Sequence, residues 1–206
     1  LRPITLFRSV YRVYARAHAD PVRGWHARTM PSSVNNAAGR CVGDATYRVQ
    51  VRAAAAASRL PWVAEIQKDL KKAFDCVRRW QLRDAALQDD YPMAALLMSL
   101  CAYGWPRRIA LAGMVSRAVV ARKGVAAGSA HATFELALLL RPALAQLNKV
   151  TVRAVVSLHV DDLSITVQAA TQDEVVEDLT ALHAAAVHEF TDERGLAFAA
   201  DKSFIL

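Results

Sequence analysis

Apolar and polar positions change their spacing along the chain, and the spacing predicts the elements. Leu6, Val10, Val13 and Ala17 recur at helical intervals, while Arg8, Arg12 and Arg16 follow four-residue steps on another face. A basic helix is expected there, with the apolar set turned inward. Residues 31–43, rich in Ser, Asn and Gly, read as a loop. Asp44 suits the cap of a helix through the alanine tract Ala53 to Ala57, stopped before Pro61. Trp62, Val63 and Ile66 read as a strand leading into Asp69. Helices are expected from Cys76 to Gln88 and from Pro92 to Tyr103, the second stopped by Gly104 and Pro106. A strand pair at Ile109 to Leu111 and Val115 to Val120, then an apolar helix from Thr133 to Leu147, complete this part.

The last third alternates differently. Val152, Ala154, Val155, Val156 and Leu158, then Leu163, Ile165 and Val167, form two short runs rich in β-branched residues, with Asp161 and Asp162 between them. A hairpin with two carboxylates at its tip follows. One reading is an acidic turn, since Asp is common in turns for its own hydrogen bonds. The other is electrostatic: two carboxylates within about 4–6 Å resist joint ionisation. A bound cation relieves them, and Mg²⁺ prefers such hard oxygen ligands. Thr171-Gln172-Asp173-Glu174 is a capping box. It opens a long amphipathic helix with the stripe Val175, Val176, Leu179, Leu182, Ala186 and Phe190, ending at Gly195. Leu196, Phe198, Phe204, Ile205 and Leu206 suggest a last small strand pair around Asp201 and Lys202. Strands and helices are interleaved, the helices long enough to cover one sheet face.

With 206 residues, 54% of them hydrophobic, the chain is long enough for one domain with a proper core. The net charge of +7 is confined to one end: residues 1–60 hold ten Arg against Asp20 and Asp44, and the remainder is nearly balanced. Such a block suits either a polyanion such as nucleic acid or a solvated helix face. Cys41, Cys76 and Cys101 are odd in number and lack Cys-x-x-Cys spacing, which points to reduced, intracellular thiols and away from zinc or disulfides. The six His show no metal-binding spacing. Glu135 and Arg141 interrupt the longest apolar run, so no membrane span is expected. There is no initiator Met or signal peptide, and the chain reads as an excerpt of a longer one.

A second acidic cluster, Asp69-Leu70-Lys71-Lys72-Ala73-Phe74-Asp75, precedes the hairpin. It is followed in order by Gly124-Val125-Ala126-Ala127-Gly128-Ser129, by Val160-Asp161-Asp162-Leu163, and by Gly195-Leu196 through Ala200-Asp201-Lys202-Ser203. This series resembles motifs A, B, C and D of the palm of reverse transcriptases, most closely those of non-LTR (LINE-type) retrotransposons. Leu1-Arg2-Pro3-Ile4-Thr5-Leu6 is similar to the fingers motif that precedes them.

The resemblance implies an α+β polymerase right hand, an antiparallel sheet backed by helices. Residues 1–60 would be a partial, Arg-rich fingers subdomain and 61–206 the palm, with the thumb absent from this chain. It implies RNA-directed DNA synthesis by a nucleotidyltransferase that extends a primer 3′-hydroxyl with deoxynucleoside triphosphates, using two Mg²⁺ ions or Mn²⁺ in their place. Two ions about 3.5–4 Å apart activate the attacking oxygen and stabilise the leaving pyrophosphate. Asp69 and Asp161 would be the principal metal ligands, with the Leu70 carbonyl and Asp162 secondary and Asp75 a helix cap. Phe74 stands where the family carries a steric gate against a ribose 2′-hydroxyl. Arg2 matches the fingers arginine at the triphosphate, and Lys202 the motif D lysine that protonates pyrophosphate. Ala127 and Gly128 would support nucleotide and template.

The partners implied are an RNA template, a DNA primer and deoxynucleotides, without a membrane. The location implied is intracellular, nuclear if the element is eukaryotic. Two departures bear on this. Motif B usually reads Pro-Gln where Ala126-Ala127 stand, and the usual aromatic two residues before the first Asp of motif C is His159. A decayed or domesticated remnant that binds RNA without catalysis is the alternative.

Overall fold

The computed structural model describes residues 5–34, 47, 51, 54–55 and 60–205. Arg2, Asp44 and most of the alanine tract lie outside the described residues. Two compact units are each built from two stretches of chain: residues 1–28 with 74–139, and 29–73 with 140–206.

The first unit is mainly helical. It contains α1 (Ser9–Ala17), α2 (Ala19–Thr29), a short α3 (Ala73–Cys76), α4 (Arg79–Gln88), α5 (Met93–Gly104) and the start of α6 (Ala132–Val150). A two-stranded ribbon of β2 (Ala110–Leu111) and β3 (Met114–Val115) lies between α5 and α6. The predicted inward face of α1 is corrected: Leu6, Val10 and Val13 are exposed, and Tyr11 and Ala15 are buried instead. Phe7 lies tilted against Tyr11 at 4.5 Å between ring centroids, and the two pack with Met98, Ala102 and Trp105. Two four-residue stripes competed in that helix. The aromatic one wins because its rings remove more apolar area from water. Arg8, Arg12 and Arg16 are exposed, as their spacing implies.

The helix expected from Cys76 to Gln88 is broken at Val77 and Arg78. The carbonyl of Val77 accepts from the Gly124 N–H at 2.7 Å, which draws it out of a helical ladder. The ribbon is shorter than the sequence suggested, with two paired residues on each strand. Helix α6 is buried on nearly every side from Glu135 to Leu140, and it carries Pro142 in its interior, exposed to solvent.

The second unit is a four-stranded antiparallel sheet in the order β4 (Ala154–His159), β5 (Asp162–Ala169), β1 (Trp62–Asp69), β6 (Phe204–Ile205). Register is carried by apolar partners across three strands, Val156 against Ile165 against Ile66 and Leu158 against Leu163. Helix α7 (Gln172–Ala186) packs on β5 and β1. Its capping box is complete: Thr171 Oγ1 accepts from the Glu174 N–H at 3.3 Å, and Glu174 Oε2 accepts from the Thr171 N–H at 3.2 Å. The helix continues as a π-helical segment, Val187–Glu193.

The final strand pair expected around Asp201 is corrected too. Residues Ala200–Lys202 form a 3₁₀ turn, β6 pairs with β1, and Phe198 bridges Leu70. No described helix is long and apolar enough to cross a membrane.

Candidate active site

Side chains alternate faces along a strand, so β1, β5 and β4 each present one apolar and one polar row. Ile66, Lys68, Leu163, Ile165, Val156 and Leu158 belong to the row under α7, where Lys68 Nζ lies 4.7 Å from the centre of the Phe198 ring. Burial pulls the Lys68 ammonium below its usual range. The opposite row holds Glu65, Gln67, Asp69, Asp162, Ser164 and His159.

At the end of the sheet Asp69 faces Asp162 across the β1–β5 ladder, and His159 faces Asp162 across β4–β5. Asp161 sits in the two-residue tip with Val160, whose φ of +60° is rare for a β-branched residue. The tip is tied to β1 through the Leu70 N–H, which donates to the Asp161 carbonyl at 3.2 Å. The Asp69 carbonyl accepts from the Ala199 N–H at 2.8 Å, bringing the segment of Lys202 alongside. Lys202 Nζ then reaches Asp69 Oδ2 at 3.0 Å. The Asp162 carboxyl is pushed above its usual value by partial burial and by the Asp69 carboxyl within hydrogen-bond reach, against the pull of His159 and Lys202.

The structure thus gathers Asp69, Leu70, Asp161, Asp162 and Lys202 at one sheet end. Sequence reasoning missed Glu65, Gln67 and Ser164 on the same row. Ser164 Oγ donates to Glu65 Oε1 at 2.6 Å and Gln67 Nε2 to the same oxygen at 2.9 Å. Two-residue steps back from Asp69 were the available signal. Among the described residues, no three His, Cys, Asp or Glu stand close enough to hold a metal alone. The donor chemistry nevertheless fits a hard divalent cation: oxygen-only ligands, with one carboxyl raised by partial burial and by its neighbour. Mg²⁺ characteristically completes such a shell with water and phosphate oxygens.

The remaining described candidates, Phe74, Ala127 and Gly128, lie in the first unit, where a tight loop runs from Gly124 to Ser129. Gly124 has φ +88°, and a Cβ there would meet the Asp75 carbonyl oxygen at 2.9 Å and the Phe74 carbonyl oxygen at 3.0 Å. Phe74, half-buried on α3, accepts a 2.8 Å hydrogen bond at its carbonyl from the Val125 N–H. Arg79, which sequence reasoning did not single out, donates to the carbonyls of Gly124 at 2.9 Å, Tyr103 at 2.8 Å and Lys123 at 3.3 Å. Ala127 and Gly128 are exposed, Gly128 has φ +99°, and the Ala127 carbonyl accepts from the Thr5 N–H at 3.0 Å.

No family model and no curated protein matches this sequence. Solved structures do. Apo telomerase from Candida tropicalis, truncated from its C-terminal domain, superposes with a TM-score of 0.69 at 13% identity, covering 95% of this chain and 41% of that one. Telomerase from Candida albicans in complex with a fragment of telomeric RNA gives 0.64 at 10% identity, covering 96% and 34%. The corresponding Candida tropicalis RNA complex gives 0.63 at 13%, covering 96% and 35%. This chain therefore spans well under half the length of those proteins, and its fold, an antiparallel sheet backed by helices in an α+β class, is of the right-hand polymerase kind.

Proposed function

We propose that this chain is the catalytic part of a reverse transcriptase of the non-LTR retrotransposon type, joining deoxynucleotides to a primer on an RNA template. Residues 61–206 serve as palm and 1–60 as part of the fingers. One observation carries the reading: on the polar face of a polymerase-type sheet, Asp69 stands opposite Asp162, with Asp161 in the adjoining tip. The RNA in two of the similar telomerase structures supports an RNA partner.

Asp69, Asp161, Asp162 and the Leu70 carbonyl would hold two divalent cations, Mg²⁺ or Mn²⁺. When bound, those ions supply charge stabilisation at the attacking and leaving oxygens. The chain's own residues do the rest. Lys202, paired with Asp69, holds a proton beside the metal ligands, where the departing pyrophosphate can take it. Ala127 and Gly128 offer exposed backbone to nucleotide and template, without the side-chain amide that a glutamine would add. Phe74 bars the ribose 2′-hydroxyl, the group by which proteins tell RNA from DNA. Arg8, Arg12 and Arg16 neutralise template phosphates.

Single-nucleotide incorporation on a primed RNA template tests the reading. Wild type should extend with Mg²⁺, Asp161→Asn and Asp69→Asn should not, and Phe74→Ala should admit ribonucleotides. A wild type that binds RNA yet extends no primer with Mg²⁺ or Mn²⁺ would instead identify a remnant that binds RNA without catalysis.

A further inference from the structure

The first unit buries one carboxylate completely: Glu135, in the first turn of α6. Burying a charge among Leu136, Leu138 and their neighbours is expensive unless hydrogen bonds and a role sustain it. A chain of hydroxyls leads from it to the Gly124–Ser129 loop. Tyr103 Oη lies 2.5 Å from Glu135 Oε2 and 2.9 Å from Ser129 Oγ. Tyr11 Oη lies 2.7 Å from Ser129 Oγ and 3.2 Å from Ser99 Oγ.

Each hydroxyl owns one proton, and an ionised carboxylate only accepts. Tyr103 therefore donates to ionised Glu135 and accepts from Ser129. Ser129, its proton given to Tyr103, accepts from Tyr11, which in turn accepts from Ser99. The charge on Glu135 thus sets the direction of every proton as far as Ser129. Ser129 Oγ accepts from the His131 N–H at 3.4 Å, and the Ser129 N–H donates to the Ala126 carbonyl at 3.0 Å. With Thr5 holding the Ala127 carbonyl, the loop is pinned on both sides of Gly128.

We propose that Glu135 is a positioning residue for the incoming nucleotide, acting through Tyr103 and Ser129 to fix the exposed backbone of Ala127 and Gly128. The proposal rests on the polymerase reading of that loop. Burial pushes Glu135 up to about 7, so the hydroxyl chain changes polarity near neutral pH. The titratable groups facing Glu135 are Tyr11 on α1, Tyr91 before α5 and Tyr103 on α5. Burial raises all three, so they stay neutral there. His131, in the turn just before α6, is pulled below its usual value by burial and is neutral above pH 7.

The test is steady-state single-nucleotide incorporation by the full chain from pH 6 to 8.5, with thermal melting of each variant. In wild type, KM for the nucleotide should fall through an inflection near pH 7 while kcat changes less. Glu135→Gln can donate to Tyr103 and reverse the chain. Its KM should rise about tenfold at pH 8, the worth of roughly one displaced hydrogen bond, and lose the inflection. Tyr103→Phe should do the same. Wild-type KM without an inflection overturns the role of Glu135, whether or not the variants fold, and so does Glu135→Gln with an unchanged pH profile. A wild type that extends no primer at any pH overturns the polymerase reading and this proposal with it.

Discussion

Gly124→Ala challenges a backbone approach that only glycine allows. The new methyl would stand 2.9 Å from the Asp75 carbonyl oxygen, 3.0 Å from Asp75 Cα and 3.0 Å from the Phe74 carbonyl oxygen. All three are main-chain atoms and cannot swing aside. Two bonds hold them close, Gly124 N–H to the Val77 carbonyl at 2.7 Å and Val125 N–H to the Phe74 carbonyl at 2.8 Å. Left-handed backbone costs an Ala about 1–2 kcal/mol, and overpacking a fixed neighbour costs about 1–3 kcal/mol. The sum, about 2–5 kcal/mol, is a large part of the ~5–15 kcal/mol that holds a domain folded. In urea, with a slope of about 1–3 kcal/mol per molar, the midpoint should drop by about 0.7 M or more at unchanged slope. Gly104→Ala is the control: its Cβ meets nothing within 4 Å and its φ is not left-handed. That change should stabilise by about 0.4–1 kcal/mol. If Gly124→Ala falls within about 0.5 kcal/mol of wild type, the loop yields freely and the argument fails.

Replacing Arg8, Arg12 and Arg16 together by Gln should flatten the slope of log RNA affinity against log salt by about 2, near 0.7 for each phosphate no longer neutralised; an unchanged slope means that these exposed arginines only solvate α1. Arg153 donates from Nε to Asp178 Oδ2 at 2.7 Å and from Nη1 to Glu174 at 3.1 Å, and its hydrogen bonds hold the Asp178 carboxyl below the usual 3.8. Because the folded value is depressed, that stability is present above 3.8 and lost as pH falls through the folded value; Arg153→Gln should flatten melting temperature against pH below 4, and an identical acid limb would refute the pairing. Thr171→Ala removes one half of the capping box of α7 and should cost about 1 kcal/mol in denaturant; no change would mean that water replaces the cap.

The hairpin, the strand before Asp69 and the capped helix were legible because their signals are local: two-residue alternation on Leu163, Ile165 and Val167, and Thr171 three residues before Glu174. The errors come from partners far along the chain. Tyr11 displaces Leu6 and Val10 from the interior because its ring buries more apolar area and its hydroxyl finds Ser99 and Ser129, and no window of sequence around α1 contains either serine. The break at Val77 depends on Gly124, and the placement of β6 on β1. Glu135 read only as a charge interrupting an apolar run, because nothing near it in sequence points to Tyr103.

The apolar side of the second unit decides which carboxylates meet. Side chains change face at every residue, so a one-residue slip of β5 against β1 would turn Leu163 and Ile165 away from α7 and bring Asp162 underneath it. Ile66 against Ile165 against Val156 opposes that slip across three strands. With the register held, Asp162 is the residue opposite Asp69, and Asp161 is left in a tip whose Val160 takes an unfavourable positive φ. A left-handed β-branched residue persists only where surrounding structure enforces it, and here the paired apolar rows on both sides do so. Candidate chemistry on the polar face is therefore set by packing on the other. Shaving Ile165 to Ala should disturb the Asp69–Asp162 pairing as well as stability, whereas Ser164→Ala, on the polar row itself, should leave the register intact.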